Sequence, residues 1–427
     1  MNSQDHKPLT ARMRQDGEPV DIRAYEQAGG YEGLRRALSL SPADVRKIVD
    51  DADLRGRGGA GFPAGKKWSS VPTGEQATRP KYVIANADEM EPGTFKDRLL
   101  VERDPHQLIE GLLIAAYAMG AEHAYVLLRW AYRRAAAVLR RAMEEASLRG
   151  YLGANILGSS FSVDMRLHIS AGRYMCGEEG GLIDSMEGKR AVPRPKPPLV
   201  SEIGLWGKPT VVNNVETLCC VPHILRNGAA WFVALGRTKE SGTKLYGASG
   251  RVKRPGLWEL PMGTTLGEIV NDWAGGMQDG YTFRGALPGG ASCNFVLPEH
   301  FGIPMDFDSM QKANSRLGTG TVVVMDNRTC PVGFLLSLET FFARESCGWC
   351  TPCREGLPWV VHILQALEAG TGRPDDLDVL DDHVRLIRMN HTFCALAPGA
   401  MMPLKGALEY FREDLLRHIQ EKRCPWN

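Results

Sequence analysis

Four cysteines carry the most specific chemistry in this chain. The run ESCGWCTPCREG sets Cys347, Cys350 and Cys353 at Cys-x-x-Cys-x-x-Cys spacing, and Cys394 follows further along. Three closely spaced thiolates can converge on one face of an iron–sulfur cluster while a distant fourth closes the remaining corner. Structural zinc sites usually arrange their cysteines as two separated pairs, so the spacing favours a [4Fe-4S] cluster, with zinc the competing ligand. Cys176, Cys219, Cys220, Cys293, Cys330 and Cys424 show no such pattern and are read as core or surface thiols, Cys176 alone lying within a loop of other candidate ligands.

A second constellation is rich in glycine and polar groups. GRGGAGFPAGKKW, from Gly56 to Trp68, holds G-x-G-x-x-G at Gly56, Gly58 and Gly61, with Lys66 and Lys67 close behind. Glycine amides can approach phosphate oxygens closely, a lysine supplies charge, and Phe62 or Trp68 offers a ring face. An ordinary dinucleotide fingerprint follows a strand and opens a helix, whereas here a helix precedes the loop; a Walker A register fails too, because Ala60 replaces the first glycine and Lys67 the hydroxyl residue. Glycines that merely permit tight turns are the alternative. The run YVIAN leads into Asn86, Asp88, Glu89 and Glu91, where an α/β sheet places ligand-binding groups, or else a solvated acidic turn. GEEGG (Gly177 to Gly181) sets Glu178 and Glu179 at a helix start, where dipole stabilisation alone would account for them. NNVET offers Asn213 and Asn214 to the edge of a heterocycle, or to a turn or cap.

The elements that must position these groups alternate. SPADVRKIVDDADL predicts a helix with Ser41 as N-cap and Pro42 in its first turn. KYVIANADE and HAYVLLRW read as strands, HQLIEGLLIAAYAMG and AYRRAAAVLRRAMEEASL as helices, and the alternation predicts a largely parallel sheet. A second such passage runs from MRLHIS to KPTVVNNVETL across KRAVPRPKPP, which its prolines keep irregular. From about Gly242 the short runs KLYGASGRV, GLWEL, TFRGALPGG and TGTVVVM predict a small mixed β domain with a helix near LGEIVNDWAG. Four helical segments then close the chain as a small bundle: FLLSLETFFAR, GLPWVVHILQALEAG, DVLDDHVRLIRMN and PLKGALEYFREDLLRHIQEK.

Composition bounds the function. The 427 residues suggest about three domains. The 51 basic side chains nearly balance the 50 acidic ones, which argues against a nucleic-acid or anionic-membrane partner. The N-terminal run has no apolar segment of the secretory kind, and LLIAAYAMGA is too short to span a bilayer, so an internal protein without direct membrane insertion is expected.

With the glycine loop, NADEMEPGTFKDR, GRYMCGEEG, KPTVVNNVETL and ESCGWCTPCREG in one order, the sequence resembles the flavin-bearing, NADH-oxidising 51 kDa subunits of bacterial respiratory complex I over nearly its whole length. That resemblance implies an α/β Rossmann-like FMN domain over 1–240, a β-grasp (ubiquitin-like, soluble ligand-binding) domain over 241–333, and a C-terminal four-helix bundle with a [4Fe-4S] cluster over 334–427. It puts FMN against Gly56, Gly58, Gly59, Lys67, Asn86, Asp88, Asn213, Asn214 and Thr217. NADH would stack over the flavin, contacted by Phe62, Glu89, Glu91, Tyr174, Glu178, Glu179 and Lys196, with Gly177 in the same loop; Glu89, Glu91 and Glu179 stand nearest the chemistry. Cys347, Cys350, Cys353 and Cys394 would ligate the cluster.

The implied activity is that of an NADH:quinone oxidoreductase, which accepts hydride from NADH and sends electrons singly through the cluster toward quinone. Hydride transfer asks for positioning, so no residue need act as general acid or base. A thioredoxin-like [2Fe-2S] subunit and a large multi-cluster subunit are the implied partners, holding the chain at the cytoplasmic face of the inner membrane. The sequence departs from the family pattern at Ala64, Lys66, Ser70, Gly180–Gly181 and Leu199–Val200, the last where Phe-Pro is common. Two other readings stand beside this one. The diaphorase subunit of a soluble NAD-linked hydrogenase or formate dehydrogenase would often carry fused thioredoxin-like or cluster segments, which neither end of the sequence shows; a zinc-stabilised nucleotide-binding scaffold would be colourless.

Overall fold

The computed structural model describes residues 7–74 and 77–426; the first six residues of the N-terminal run lie outside them. Two compact units emerge. One comprises Met1–Met90, Phe95–Leu245 and Glu259–Thr264, the other Glu91–Thr94, Tyr246–Trp258 and Thr265–Asn427.

In the first unit, strands β1 (Tyr82–Ala87), β2 (His123–Arg129), β3 (Asp164–Ser170) and β4 (Thr210–Asn214) form one sheet in the order β3-β2-β1-β4. Every pairing is parallel, as the alternation of strands and helices predicts. The helix Pro42–Asp51 begins where expected: Pro42 opens it, and the extended Ser41 accepts the Asp44 amide hydrogen at 3.2 Å. Pro105–Met119 is buried on nearly every side, which explains its unbroken apolar run. Its Leu108, Leu112 and Ala115 join Val83 and Ala85 of β1 and Leu218 and Val221 of the helix Val215–Asn227 in one core.

Successive connections carry the chain from β1 to β2 to β3 on one side, then back to β4 on the other side of β1. The carboxyl ends of β1 and β4 therefore flank a topological switch point, the place where open α/β sheets receive ligands. Asn86 stands in register with Asn214, and Ala85 with Asn213.

The second unit holds the sheet β6-β5-β8-β7, built from β5 (Thr243–Ser249), β6 (Gly256–Pro261), β7 (Phe283–Leu287) and β8 (Thr321–Asp326); the division between units falls within β5 and β6. β5 pairs with β8 in parallel and β7 with β8 antiparallel, so the sheet is mixed. The helix expected near LGEIVNDWAG is a single π-type stretch, Glu268–Trp273. The closing helices number five among the described residues: Pro331–Glu345, Thr351–Glu368, Asp376–Leu386, Leu396–Tyr410 and Arg412–Glu421. The last predicted helix is two, because Phe411 leaves helical geometry (φ −125°, ψ 21°). Tertiary packing overrides the local period there: the Phe411 ring meets Phe295 edge-on at 5.1 Å and lies under the Arg284 guanidinium.

Candidate active site and cluster site

At the end of β1, Asn86 is committed to the backbone. Its amide donates to the Cys176 carbonyl at 2.9 Å, and its side-chain oxygen accepts the Asp88 N–H at 3.0 Å. Asp88 is buried and accepts the Ser170 hydroxyl at 2.6 Å through Oδ2. Its Oδ1 is also buried and has no partner in hydrogen-bonding geometry among the described residues. Burial raises the Asp88 carboxyl above its usual range, against the bonds from Ser170, the Cys176 thiol and the Arg173 backbone and against the Arg129 charge.

The glycine loop lies along the start of the helix Val215–Asn227. The Arg57 amide donates to Thr217 Oγ1 at 2.8 Å, and a Cβ on Gly58 would come 3.1 Å from Asn214 Cβ. Gly59 (φ 122°) and Gly61 (φ 68°) take backbone angles that side chains disfavour. Of the two candidate rings, Phe62 is 58% exposed and available, whereas Trp68 is fully buried with its indole N–H on Asn213 Oδ1 at 2.9 Å. Lys67 and Lys66 both fall in the short helix Ala64–Ser69; Lys66 faces solvent and Ala64 is buried.

Lys67 reaches across to the second polar loop. Its Nζ donates to Glu179 Oε2 at 2.8 Å, while Lys196 Nζ donates to Glu179 Oε1 at 2.8 Å and lies 3.4 Å from Glu178. Burial works against the Glu179 anion, but the two ammoniums outweigh it and hold the carboxyl at about 2. Glu178 also caps the helix Glu179–Met186 through the Gly181 amide at 2.8 Å, so the helix-start reading and the ligand reading meet in one residue pair. Tyr174 and Gly177 form the preceding turn, and a Cβ on Gly177 would meet open space. The departures Gly180 and Gly181 have a steric reason. A Cβ on Gly180 would sit 2.7 Å from the Arg194 amide nitrogen, and one on Gly181 2.8 Å from the Met175 carbonyl. Leu199 is 46% exposed.

Two of the expected carboxylates already accept hydrogen bonds from the protein. Glu89 is buried, and its carboxylate accepts the Asp97 and Arg98 amides at 2.9 and 3.2 Å and the Tyr132 hydroxyl at 3.0 Å. It serves the start of the helix Lys96–Arg103, not a free face, and burial together with the Asp97 charge raises its pKa to about 7. Glu91 belongs to the second unit, where it accepts the Ser292 amide at 2.7 Å.

Behind Asn214 lies a charge network to which the sequence motifs assigned no role. Lys96, fully buried, contacts Asp97 and Glu216 at 2.8 Å each and Asn214 Oδ1 at 3.2 Å. Asn214 returns a bond to Asp97 at 2.7 Å and caps its own helix through the Glu216 amide, which is the cap weighed from sequence. Lys244, 3.3 Å from Glu216, is drawn down to about 8 by burial. The signal was the pair Lys96-Asp97 inside NADEMEPGTFKDR, two opposite charges in a stretch that otherwise packs.

In the second unit, Cys350 precedes and Cys353 begins the helix Thr351–Glu368, Cys347 lies just upstream, and Cys394 precedes Leu396–Tyr410. Their thiols are near enough that Cys350, Cys394 and Cys347 all act on Cys353, whose pKa stands at about 12, chiefly through burial. Ser346 Oγ lies 3.2 Å from Cys353 Sγ. Among the described residues, Cys330, Glu368, His418 and Cys424 form the one group whose ligand atoms all lie within 4.8 Å of one another.

A parallel α/β unit with a glycine loop and lysine–glutamate cluster at its switch point, joined in one chain to a four-cysteine helical region, defines an iron–sulfur flavoprotein oxidoreductase. The Nuo51 FMN-binding domain matches residues 49–223, the SLBB domain 248–296, and the NADH-ubiquinone oxidoreductase-F iron-sulfur binding region 334–418. The F subunit of NADH-quinone oxidoreductase in Salmonella typhimurium is 53% identical over 97% of this chain and 93% of its own length, and that of Streptomyces coelicolor 43% identical over 98% and 93%. Among solved structures, the NAD+-reducing [NiFe]-hydrogenase in its H2-reduced state is similar at a TM-score of 0.83 and 36% identity, covering 96% of this chain and 67% of that one. The chain belongs to the family of NADH-quinone oxidoreductase F subunits.

Proposed function

We propose that the switch point of the first unit is where this chain binds FMN and receives NADH, and that Cys347, Cys350, Cys353 and Cys394 ligate its cluster. The chain is an NADH-oxidising complex I subunit that uses FMN and a [4Fe-4S] cluster. Two features of the site suit a flavin nucleotide: the loop backbone pressed on Asn214 at Gly58 and the open space over Gly177. Bound FMN supplies the conversion between a two-electron donor and a one-electron acceptor.

The chain's own residues bind and orient. Lys67 brings positive charge to the glycine loop, Phe62 presents an exposed ring for a nicotinamide or adenine, and Thr217 and Asn214 fix the loop against the helix. The network of Lys96, Asp97 and Glu216 holds Asn214 still. Glu178, Glu179, Tyr174 and Lys196 form the opposite wall. Because Glu179 stays ionised at every physiological pH, it acts as a fixed charge and not as a proton carrier. The single observation that carries this reading is the Lys67–Glu179–Lys196 cluster, which ties the glycine loop to the GEEGG loop.

No helix among the described residues is long and apolar enough to cross a membrane. Attachment at the cytoplasmic face of the inner membrane through a thioredoxin-like [2Fe-2S] subunit and a multi-cluster subunit is the assembly this reading expects. A diaphorase role in an NAD-linked hydrogenase is the second reading, favoured by the structural likeness to that enzyme. The test is anaerobic purification with flavin, iron and sulfide analysis, then NADH oxidation with ferricyanide. A chain without flavin, or with zinc and no iron bound by the four cysteines, refutes the proposal; co-purification with hydrogenase subunits instead of quinone-reducing ones selects the second reading.

A further inference from the structure

We infer that Cys330, Glu368, His418 and Cys424 form a tetrahedral divalent-cation site, most suited to zinc, separate from the iron–sulfur cysteines. Their ligand atoms all lie within 4.8 Å of one another. Cys330 Sγ stands 3.6 Å from Cys424 Sγ, 3.3 Å from His418 Nε2 and 3.4 Å from Glu368 Oε2, and His418 Nε2 lies 3.4 Å from Glu368 Oε2. Zinc bonds of about 2.3 Å to sulfur and about 2.0–2.2 Å to nitrogen and oxygen give tetrahedral edges of about 3.8 Å between sulfurs, about 3.5–3.7 Å from sulfur to nitrogen or oxygen, and about 3.3–3.6 Å between nitrogen and oxygen, each within about 0.3 Å of the measured separation. The four measured edges lie close to those lengths.

The surroundings are those of a built site. His418 is fully buried, and its Nδ1 lies 2.7 Å from the Asp414 carbonyl. A carbonyl can only accept, so Nδ1 carries the proton and Nε2 turns its lone pair toward the sulfurs, the arrangement that orients metal-bound histidines. Cys330 caps the helix Pro331–Glu345 and accepts the Gly333 amide at 3.3 Å. Cys424 is buried, and the Trp426 ring stacks on His418 at 5.7 Å with the Arg284 and Arg417 guanidiniums over it. Glu368, 25% exposed, leaves an entry path. Two thiolates and one carboxylate carry three negative charges; a divalent cation offsets two, and two thiol protons leave on binding. The site joins the start of Pro331–Glu345, the end of Thr351–Glu368, the helix Arg412–Glu421 and the chain beyond it, so its role is to clasp the helical region that carries the cluster cysteines.

Full-length protein with its flavin and cluster, grown with zinc and purified without chelator, should contain about one zinc per chain. Zinc-edge X-ray absorption should show two sulfurs at about 2.3 Å and two lighter ligands at about 2.0–2.2 Å. Zinc should fall at least tenfold in Cys330→Ser and in Cys424→Ser, with iron and flavin retained; Cys394→Ala should lose iron and keep zinc. Should the serine variants fail to fold, the zinc content and absorption shell of the unaltered protein decide alone. Zinc below one-tenth per chain, a shell of four sulfurs or of none, or a Cys330–Cys424 disulfide in unreduced peptides overturns the inference. None of these outcomes bears on FMN, and loss of flavin would leave the zinc result standing.

Discussion

Replacing Glu179 by glutamine keeps its shape and removes one charge. The carboxylate lies 2.8 Å from both Lys67 Nζ and Lys196 Nζ, and its pKa is held at about 2 against the usual 4.5. Holding the carboxyl that far below its usual range corresponds to about 3 kcal/mol between the charged and neutral forms. Partial exposure leaves only a fraction of that as net stability. A depressed carboxyl contributes stability above its unfolded value and loses it as pH falls toward the folded one, so near neutrality the whole contribution is in force.

Wild-type protein therefore presents a trio of net charge +1 (two ammoniums, one carboxylate), and Glu179→Gln presents +2. NAD⁺ differs from NADH by a positive charge on the nicotinamide ring, while the phosphate charges are common to both and cancel in a ratio. One added unit charge at 4 Å acts with about 1 kcal/mol in water and about 4 kcal/mol at an effective dielectric of about 20. Lys196 is solvent-exposed, so the lower figure applies. The variant should bind NAD⁺ about fivefold more weakly relative to NADH. The assay is ferricyanide reduction at neutral pH and physiological ionic strength, comparing the NAD⁺ inhibition constant with the NADH constant at matched flavin content. A ratio unchanged within about twofold refutes the placing of Glu179 beside the nicotinamide, as does a wild-type ratio that titrates between about pH 5 and 8.

Lys96→Met removes a fully buried ammonium that faces Asp97 and Glu216 and should destabilise the protein by about 3–5 kcal/mol in denaturant titration, because two buried carboxylates lose their counter-charge; a loss under about 1 kcal/mol contradicts the network. Gly180→Ala drives a Cβ to 2.7 Å from the Arg194 backbone nitrogen and should lower the melting temperature by several degrees, at a cost of about 1–3 kcal/mol. Burial raises Glu259 to about 7 against the bonds it accepts from Thr243, Leu9 and Thr10. With its folded pKa raised, its contribution to stability is complete below about pH 4.5 and is lost as pH rises toward 7, so Glu259→Gln should flatten that slope in pH-dependent thermal melts.

The chain of local signals read well. Ser41 and Pro42 open their helix, YVIAN and HAYVLLRW are strands, and Asn214 caps its helix, because each outcome depends on neighbours a few residues away. The side-chain roles at the site were less legible. Trp68 is turned inward to Asn213, and Glu89 serves a helix start, since both outcomes depend on what packs from elsewhere in the fold. The helix read through Phe411 breaks there because Phe295 and Arg284 seize its ring, a contact invisible to a period of 3.6 residues.

The cysteines divide along the same line. Cys347, Cys350 and Cys353 announce a cluster because their spacing along one segment already brings three thiolates together, whatever surrounds them. Cys330 and Cys424, lying far apart in the chain and read from sequence as unremarkable thiols, stand 3.6 Å apart beside His418 and Glu368. Local order along the chain was enough for the parallel sheet and the cysteine cluster, since hydrophobic period, caps and ligand spacing are short-range properties, while the family and its flavin came from the resemblance carried by the motifs in their order. Packing of distant segments alone settled which carboxylates serve helix starts, which charges are buried in pairs, and which thiols meet.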